Sequence, residues 1–210
     1  MARYPRLFSE WSIRNCRIKN RVVFPPTCPT WVSDPWNGLF IDMATDYYEE
    51  RAKGGVGLII IGGTHVHPSS IMAPLLMPQL FDDRQIEPLS KIADAVHKHG
   101  GKIMIQITHM GRRSRWDGFD WSTLVSPSGI REPVHRSTCK TIEVEEIWRI
   151  IGDFAQVDVT SSGAIERMRA AAVDSELQGA DTLVGGMGRD ILVGGGSADG
   201  QADTLSDLHG

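Results

Sequence analysis

Residues 21–30 read RVVFPPTCPT, and the turn inside them decides the fold. Arg21 to Phe24 is a short apolar run that Pro25-Pro26 stops, which predicts a buried strand ending at Pro25. Outward from it the chain alternates. Ile41 to Lys53 carries apolar residues at helical spacing and is closed by Gly54-Gly55. Val56 to Ile61 (VGLIII) is apolar throughout, as a strand covered on both faces should be, and Gly62-Gly63 ends it. Asp82-Asp83 offer N-caps to a helix with Pro88 in its first turn and Ile86, Leu89, Ala93 and Val96 on one stripe, ending at Gly100-Gly101. Lys102 to Ile107 (KIMIQI) is a third strand, apolar at its centre except for Gln106, and an irregular stretch follows to Lys140. Glu143 to Gln156 reads as a third helix, capped by Thr141, with Val144, Ile147, Ile151 and Phe154 on one face. Buried parallel-type strands alternating with amphipathic helices mean an α/β fold with right-handed crossovers. A doubly wound sheet would want GxGxxG after its first strand. Here that turn reads FPPTCPT instead, so a β/α barrel is expected.

Composition divides the chain near Gln156. Up to that residue there are 19 Lys and Arg against 17 Asp and Glu, and all 15 aromatic residues. The remaining 54 residues hold 3 basic against 9 acidic side chains, no aromatic, and 10 of the 22 glycines, a composition that cannot build an ordinary core. The expected organisation is a barrel-type part over 1–156, a linker or short helix over 157–178, and a glycine-rich acidic tail over 179–210. No basic stripe points to nucleic acid. Cys16, Cys28 and Cys139 are odd in number and widely spaced, which argues against a disulfide framework, and no CxxC suggests a zinc site. The N-terminus lacks a signal-peptide stretch and no apolar run reaches membrane-spanning length, so the cytoplasm is the expected compartment.

Four runs, taken together and in order, resemble the Old Yellow Enzyme family of FMN-dependent oxidoreductases: RIKNRVVFPPT (17–27), YYEERAKGGVGLIIIGGTHV (47–66), DDRQIEPLSKIADAVHKHGGKIMIQITHMGRR (82–113) and VSPSGI (125–130). The wording is closer to the dienoyl-CoA reductase and amine dehydrogenase branch than to the yeast prototype. The resemblance implies about three βα units of a TIM (β/α)8 barrel, FMN as cofactor, NAD(P)H as reductant and a small-molecule substrate. It places Pro25, Pro26 and Thr27 along the flavin ring, with Thr27 near O4. It places Gly63 against the isoalloxazine and Gln106 on its pyrimidine edge. These are C-terminal strand ends, where barrel enzymes put their sites. Residue by residue, the plainer alternatives are a core amide for Gln106, a turn residue for Thr27 and a strand terminator for Gly63. His109 could reach the site mouth or simply pack. Arg112 and Arg113 could meet an anion or belong to a solvated loop. The other histidines do not share the faces a metal site needs. The family's substrate-binding pair and tyrosine proton donor follow a fourth strand not found in these 210 residues. The expectation is therefore an incomplete barrel of reduced activity, whose open edges a second copy of the chain could cover.

The tail resembles a second family. Gly185 to Val193 (GGMGRDILV) fits the nonapeptide of RTX calcium-binding β-rolls, and Asp181, Asp190 and Asp199 recur at a spacing of nine. That resemblance implies Ca²⁺ held by those aspartates and a secreted context, in conflict with a cytoplasmic flavoenzyme. The alternative function is a non-catalytic fused or truncated product that keeps only calcium binding.

Overall fold

A computed structural model describes residues 4–27, 29–70, 77–114, 124–134, 136–160, 182–186 and 189–193. Its centre is a sheet of five strands in the order β3-β4-β5-β8-β9, built from Val23–Thr27 (β3), Leu58–His65 (β4), Lys102–Thr108 (β5), Thr182–Gly186 (β8) and Arg189–Val193 (β9). β3, β4, β5 and β8 run parallel, and β9 returns antiparallel to β8. Helices Asp42–Lys53 (α1) and Ile86–His97 (α2) are the first two crossovers. Their buried residues Ala44, Tyr48, Ala52, Leu89, Ile92, Ala93 and Val96 pack on Ile59, Ile61, Ile103, Ile105 and Ile107. On the sheet's other face a hairpin of Trp11–Ile13 (β1) and Cys16–Ile18 (β2), turning through Arg14 at φ 48°, brings Ile18 onto Leu58 and Met104. The predicted α2 stripe is present, with Asp82 accepting the Arg84 N–H at the turn that leads into the helix.

Several boundaries differ from the sequence reading. β3 does not stop at Pro25 but runs to Thr27, and it is mostly exposed. It is the sheet's outer strand, where proline's missing N–H costs no ladder bond. β4 passes through Gly62-Gly63 and ends at His65. Beyond the third strand, the irregular stretch contains a parallel pair, Leu124–Ser126 (β6) with Cys139–Thr141 (β7). Thr141 therefore lies in a strand. The last helix, Val144–Thr160 (α3), starts after Glu143, whose N–H is taken by Glu146 Oε2 at 3.0 Å, half of a capping box. α3 also runs past Gln156. Its expected apolar face is only partly used: Phe154 packs on the core, whereas Val144, Ile147 and Ile151 are exposed.

The glycine-rich tail departs most. Positions 185, 186, 189 and 190, turn positions in the β-roll reading, lie in the hairpin strands β8 and β9, with Gly185 opposite Asp190. β8 pairs with β5 through Ile105↔Val184 and Gln106↔Gly185. An unpaired edge of β5 would leave backbone donors and acceptors unsatisfied, and this segment satisfies them. Asp181 and Asp199 lie outside the described residues.

Gly57 sits where β4 begins, and the chain crosses Asn20 there. A Cβ on Gly57 would stand 2.5 Å from Asn20 Oδ1 and 2.8 Å from its carbonyl oxygen. Asn20 cannot yield, because its amide donates to Gly55 O and its Oδ1 accepts the Val22 N–H. Gly57→Ala is expected to lower stability by about 1–3 kcal/mol, read as a lower urea midpoint at unchanged slope.

Candidate functional site

The sequence-derived residues meet at the C-terminal ends of the parallel strands, and each lies at a break in register. Between β3 and β4 the pairs Phe24↔Ile59 and Thr27↔Ile61 leave Pro25 and Pro26 opposite Ile60 alone. Between β4 and β5 the pairs Ile61↔Ile105 and Thr64↔Ile107 leave Gly62 and Gly63 opposite Gln106 alone. These are two β-bulges on successive strands, a device that re-aims side chains at a strand end. Side chains alternate along β5: Ile103, Ile105 and Ile107 face the helices, and Met104 packs on the opposite side. Gln106 shares the Met104 face by that alternation. Its Oε1 lies 3.6 Å from where a Gly63 Cβ would be, and that Cβ would also crowd Met77 Cε at 3.0 Å and Thr108 Cγ2 at 3.2 Å. Gly63 thus lies inside the strand, with Met77 and Thr108 packed close where a Cβ would stand beside the Gln106 amide, so the reading of Gly62-Gly63 as a terminator is corrected. Gln106 is half-buried, and its side chain has no hydrogen bond to another described residue. Thr27, at the end of β3, is exposed.

A flat heteroaromatic ring with donor and acceptor groups on its edge fits this arrangement. A carboxamide offers one acceptor oxygen and two donor hydrogens. The missing Cβ at residue 63 lets Met77 and Thr108 close in beside that amide, and the Pro25-Pro26 bulge lies on the neighbouring strand.

The loops that follow β4 and β5 are tied by two serines that sequence reading passed over. Ser70, fully buried, donates to Thr108 O at 3.2 Å and accepts the Met110 N–H at 3.0 Å. Its one proton is therefore used, and His65 Nδ1 donates to it at 2.9 Å. Ser69 bridges His67 Nδ1 at 2.8 Å and His109 Nε2 at 3.0 Å. Burial pushes His65 and His109 down to about 4, with neighbouring histidine charge adding to the effect. The only signal in the sequence was the pattern His-x-His-Pro-Ser-Ser at 65–70.

Arg112 Nη1 donates to Ile130 O at 3.1 Å, and Arg113 Nε lies 3.8 Å from the buried Glu132 carboxylate. Both arginines hold the following loop. Cys16 and Cys139 are free thiols, and Cys28 lies outside the described residues. Among the described residues no three His, Cys, Asp or Glu side chains are grouped to hold a metal, and no helix is long and apolar enough to cross a membrane.

Comparison with known proteins identifies the family. The chain is 53% identical over 178 residues to the N,N-dimethylglycine/sarcosine dehydrogenase of Chromohalobacter salexigens, covering 83% of this chain and 25% of that protein. It is 33% identical over 165 residues to the NADH oxidase of Thermoanaerobacter brockii, covering 79% of this chain and 25% of that one. The solved old yellow enzyme from Trypanosoma cruzi superposes with a TM-score of 0.66 at 26% identity, over 78% of this chain and 49% of its own. The chain thus spans about a quarter of the length of these two relatives and about half of the solved structure. Its β/α units are part of the TIM-barrel fold of such enzymes. The family model for NADH:flavin oxidoreductases and NADH oxidases matches residues 6–192, so the match continues into β8 and β9, and the chain belongs to that family.

Proposed function

We propose that this chain supplies the flavin-ring side of an FMN-dependent NAD(P)H oxidoreductase. The observation that carries this reading is the bulge of Gly62-Gly63 opposite Gln106. It sets a hydrogen-bonding amide, with no hydrogen-bond partner among the described residues, beside a backbone position that carries no side chain. FMN bound there would accept hydride from NAD(P)H and exchange it with a small-molecule substrate. The protein's own part is orientation. Gln106 would hold the ring's pyrimidine edge, Gly63 would lie against its face, and Pro25, Pro26 and Thr27 would line its border. The identity to a protein named a dehydrogenase of N,N-dimethylglycine and sarcosine supports a second reading, in which a small N-methylated amino acid replaces NAD(P)H as hydride donor and the reduced flavin passes its electrons to a separate acceptor. Calcium at Asp181, Asp190 and Asp199 rests on the nine-residue spacing alone, and the antiparallel pairing of β8 and β9 counts against a parallel roll.

Titration of the purified protein with FMN, followed by quenching of flavin fluorescence, tests the reading. Saturable quenching is expected. Gln106→Leu should weaken it about tenfold, from loss of one or two hydrogen bonds of about 0.5–1.5 kcal/mol each. Equal affinity in the variant would remove Gln106 from the site, and absence of quenching in the parent would overturn the proposal.

A further inference from the structure

Backbone amides fix which ring nitrogens carry protons in the loops above β4 and β5. The Gly111 N–H donates to His109 Nδ1 at 3.1 Å, so the neutral His109 ring keeps its proton on Nε2. That Nε2–H faces Ser69 Oγ at 3.0 Å and donates to it. The Ser69 hydroxyl proton is then directed to His67 Nδ1, 2.8 Å away, which also accepts the Ser69 N–H at 3.1 Å. Donation runs one way, from the β5 loop through Ser69 to His67. His67 Nδ1 is an acceptor twice over.

The same nitrogen lies 3.9 Å from Asp153 Oδ2 on α3. That oxygen is buried and has no hydrogen bond among the described residues. A lone pair facing a carboxylate oxygen offers neither group anything. A buried acceptor left unpaired costs free energy that one proton could recover. A proton on His67 Nδ1 would supply a donor for Asp153 and at the same time end both bonds from Ser69.

We propose that His67 is an acid-operated switch: on protonation it exchanges its bonds from Ser69 for an ion pair with Asp153, and so links the β4 loop to α3 while Ser69 and Ser70 keep their ties to the β5 loop. The groups facing His67 set where this happens. Asp153 on α3 favours the charged ring, while Arg149 on the same helix and burial of the ring oppose it, and His109 faces it from the β5 loop. Burial is the largest influence, so His67 titrates below the ordinary histidine range. Burial and the neighbouring His67 charge push His109 down to about 4. The release leaves Ser69 accepting the His109 Nε2–H and turns its own hydroxyl proton away from His67.

Long-range proton–nitrogen NMR of the histidine rings, between pH 8 and the onset of acid unfolding, tests the switch. The unaltered protein should show His67 with Nδ1 bare and Nε2 protonated at neutral pH, and Nδ1 protonated in acid. Asp153→Asn should lower the His67 midpoint by about one unit, since it removes an opposite charge. Ser69→Ala should raise it, because it removes a hydroxyl donor that favours the neutral ring. A His67 proton on Nδ1 at neutral pH overturns the proposal without need of any variant. So does a midpoint that Asp153→Asn leaves in place.

Discussion

Gln85→Leu is expected to destabilise the protein by about 2–4 kcal/mol, from one buried backbone group orphaned at roughly 1–3 kcal/mol and a half-buried one at about 1 kcal/mol. Gln85 is fully buried and uses its whole amide. Its Oε1 accepts the Phe40 N–H at 2.9 Å, and its Nε2 donates to Gln79 O at 2.7 Å and Gly38 O at 3.1 Å. Gly38 O keeps a second donor in the Gln79 N–H. The Phe40 N–H and Gln79 O are the groups left without that partner. Leucine matches the shape and none of the chemistry, so the loss reports hydrogen bonds rather than volume. Two loops come apart together: the 34–41 turn leading into α1, and the 77–85 segment that binds β4 through His65 N–H to Pro78 O and Leu80 N–H to His65 O. Because that segment also carries Met77 against Gly63, the substitution should weaken flavin quenching as well as lower the urea midpoint. A midpoint shift of less than about 1 kcal/mol would show that the two loops hold without Gln85.

Gln85 was invisible in the sequence for the same reason that the β-bulges were. Periodicity reports which face of an element is apolar, and it located α1, α2, β4 and β5 because Ala44, Tyr48, Leu89, Ile92 and the isoleucines of VGLIII and KIMIQI obey it. It carries no information on register. Pro25-Pro26 and Gly62-Gly63 were read as stops because each is a breaker in isolation. In the sheet each pair is a two-for-one insertion, accommodated because β3 has a partner on one side only and because glycine has no Cβ to place. The site residues were legible through motif resemblance, and Gln106 also as a lone amide in an apolar strand. What positions them is long-range: Ser70 reaches Thr108 across 38 residues and Gln85 reaches Phe40 across 45. α3 misled in another way. Its apolar stripe has helical spacing, yet only the end near Phe154 meets the core, and a pattern cannot tell a covered face from an open one. The tail's glycines matched a turn motif locally, while the free edge of β5 determined their pairing.

Acid should destabilise this protein before any carboxylate is protonated. His65, His97 and His109 are each held at about 4 in the folded chain, with burial the largest cause in all three. In the unfolded chain a histidine takes up its proton near 6.5. Between those values the unfolded state binds protons that the folded state refuses, so stability falls as pH falls, and the fall levels off near pH 4 once the folded rings charge as well. Each unit of depression corresponds to about 1.4 kcal/mol. His65, with no exposed surface, approaches the full effect, while His97 and His109 are half-buried and contribute less. The sum is on the order of 5 kcal/mol, a large part of a typical domain's stability. Glu49, Asp82 and Glu146 have lowered pKa values through exposed partners, and their contribution disappears only below the carboxylate range. The interval from pH 6.5 to 4.5 therefore belongs to the histidines. His97 isolates the effect, since its Nδ1 is buried without a hydrogen bond among the described residues and leucine there abandons no partner of that nitrogen. Urea midpoints at pH 7.5, 6.5, 5.5 and 4.5 should decline steadily in the parent and less steeply in His97→Leu, which should match or exceed the parent at pH 5.5. A parent midpoint constant from pH 7.5 to 5, or a variant as steep as the parent, would show that these rings accept protons in the folded state as readily as in water.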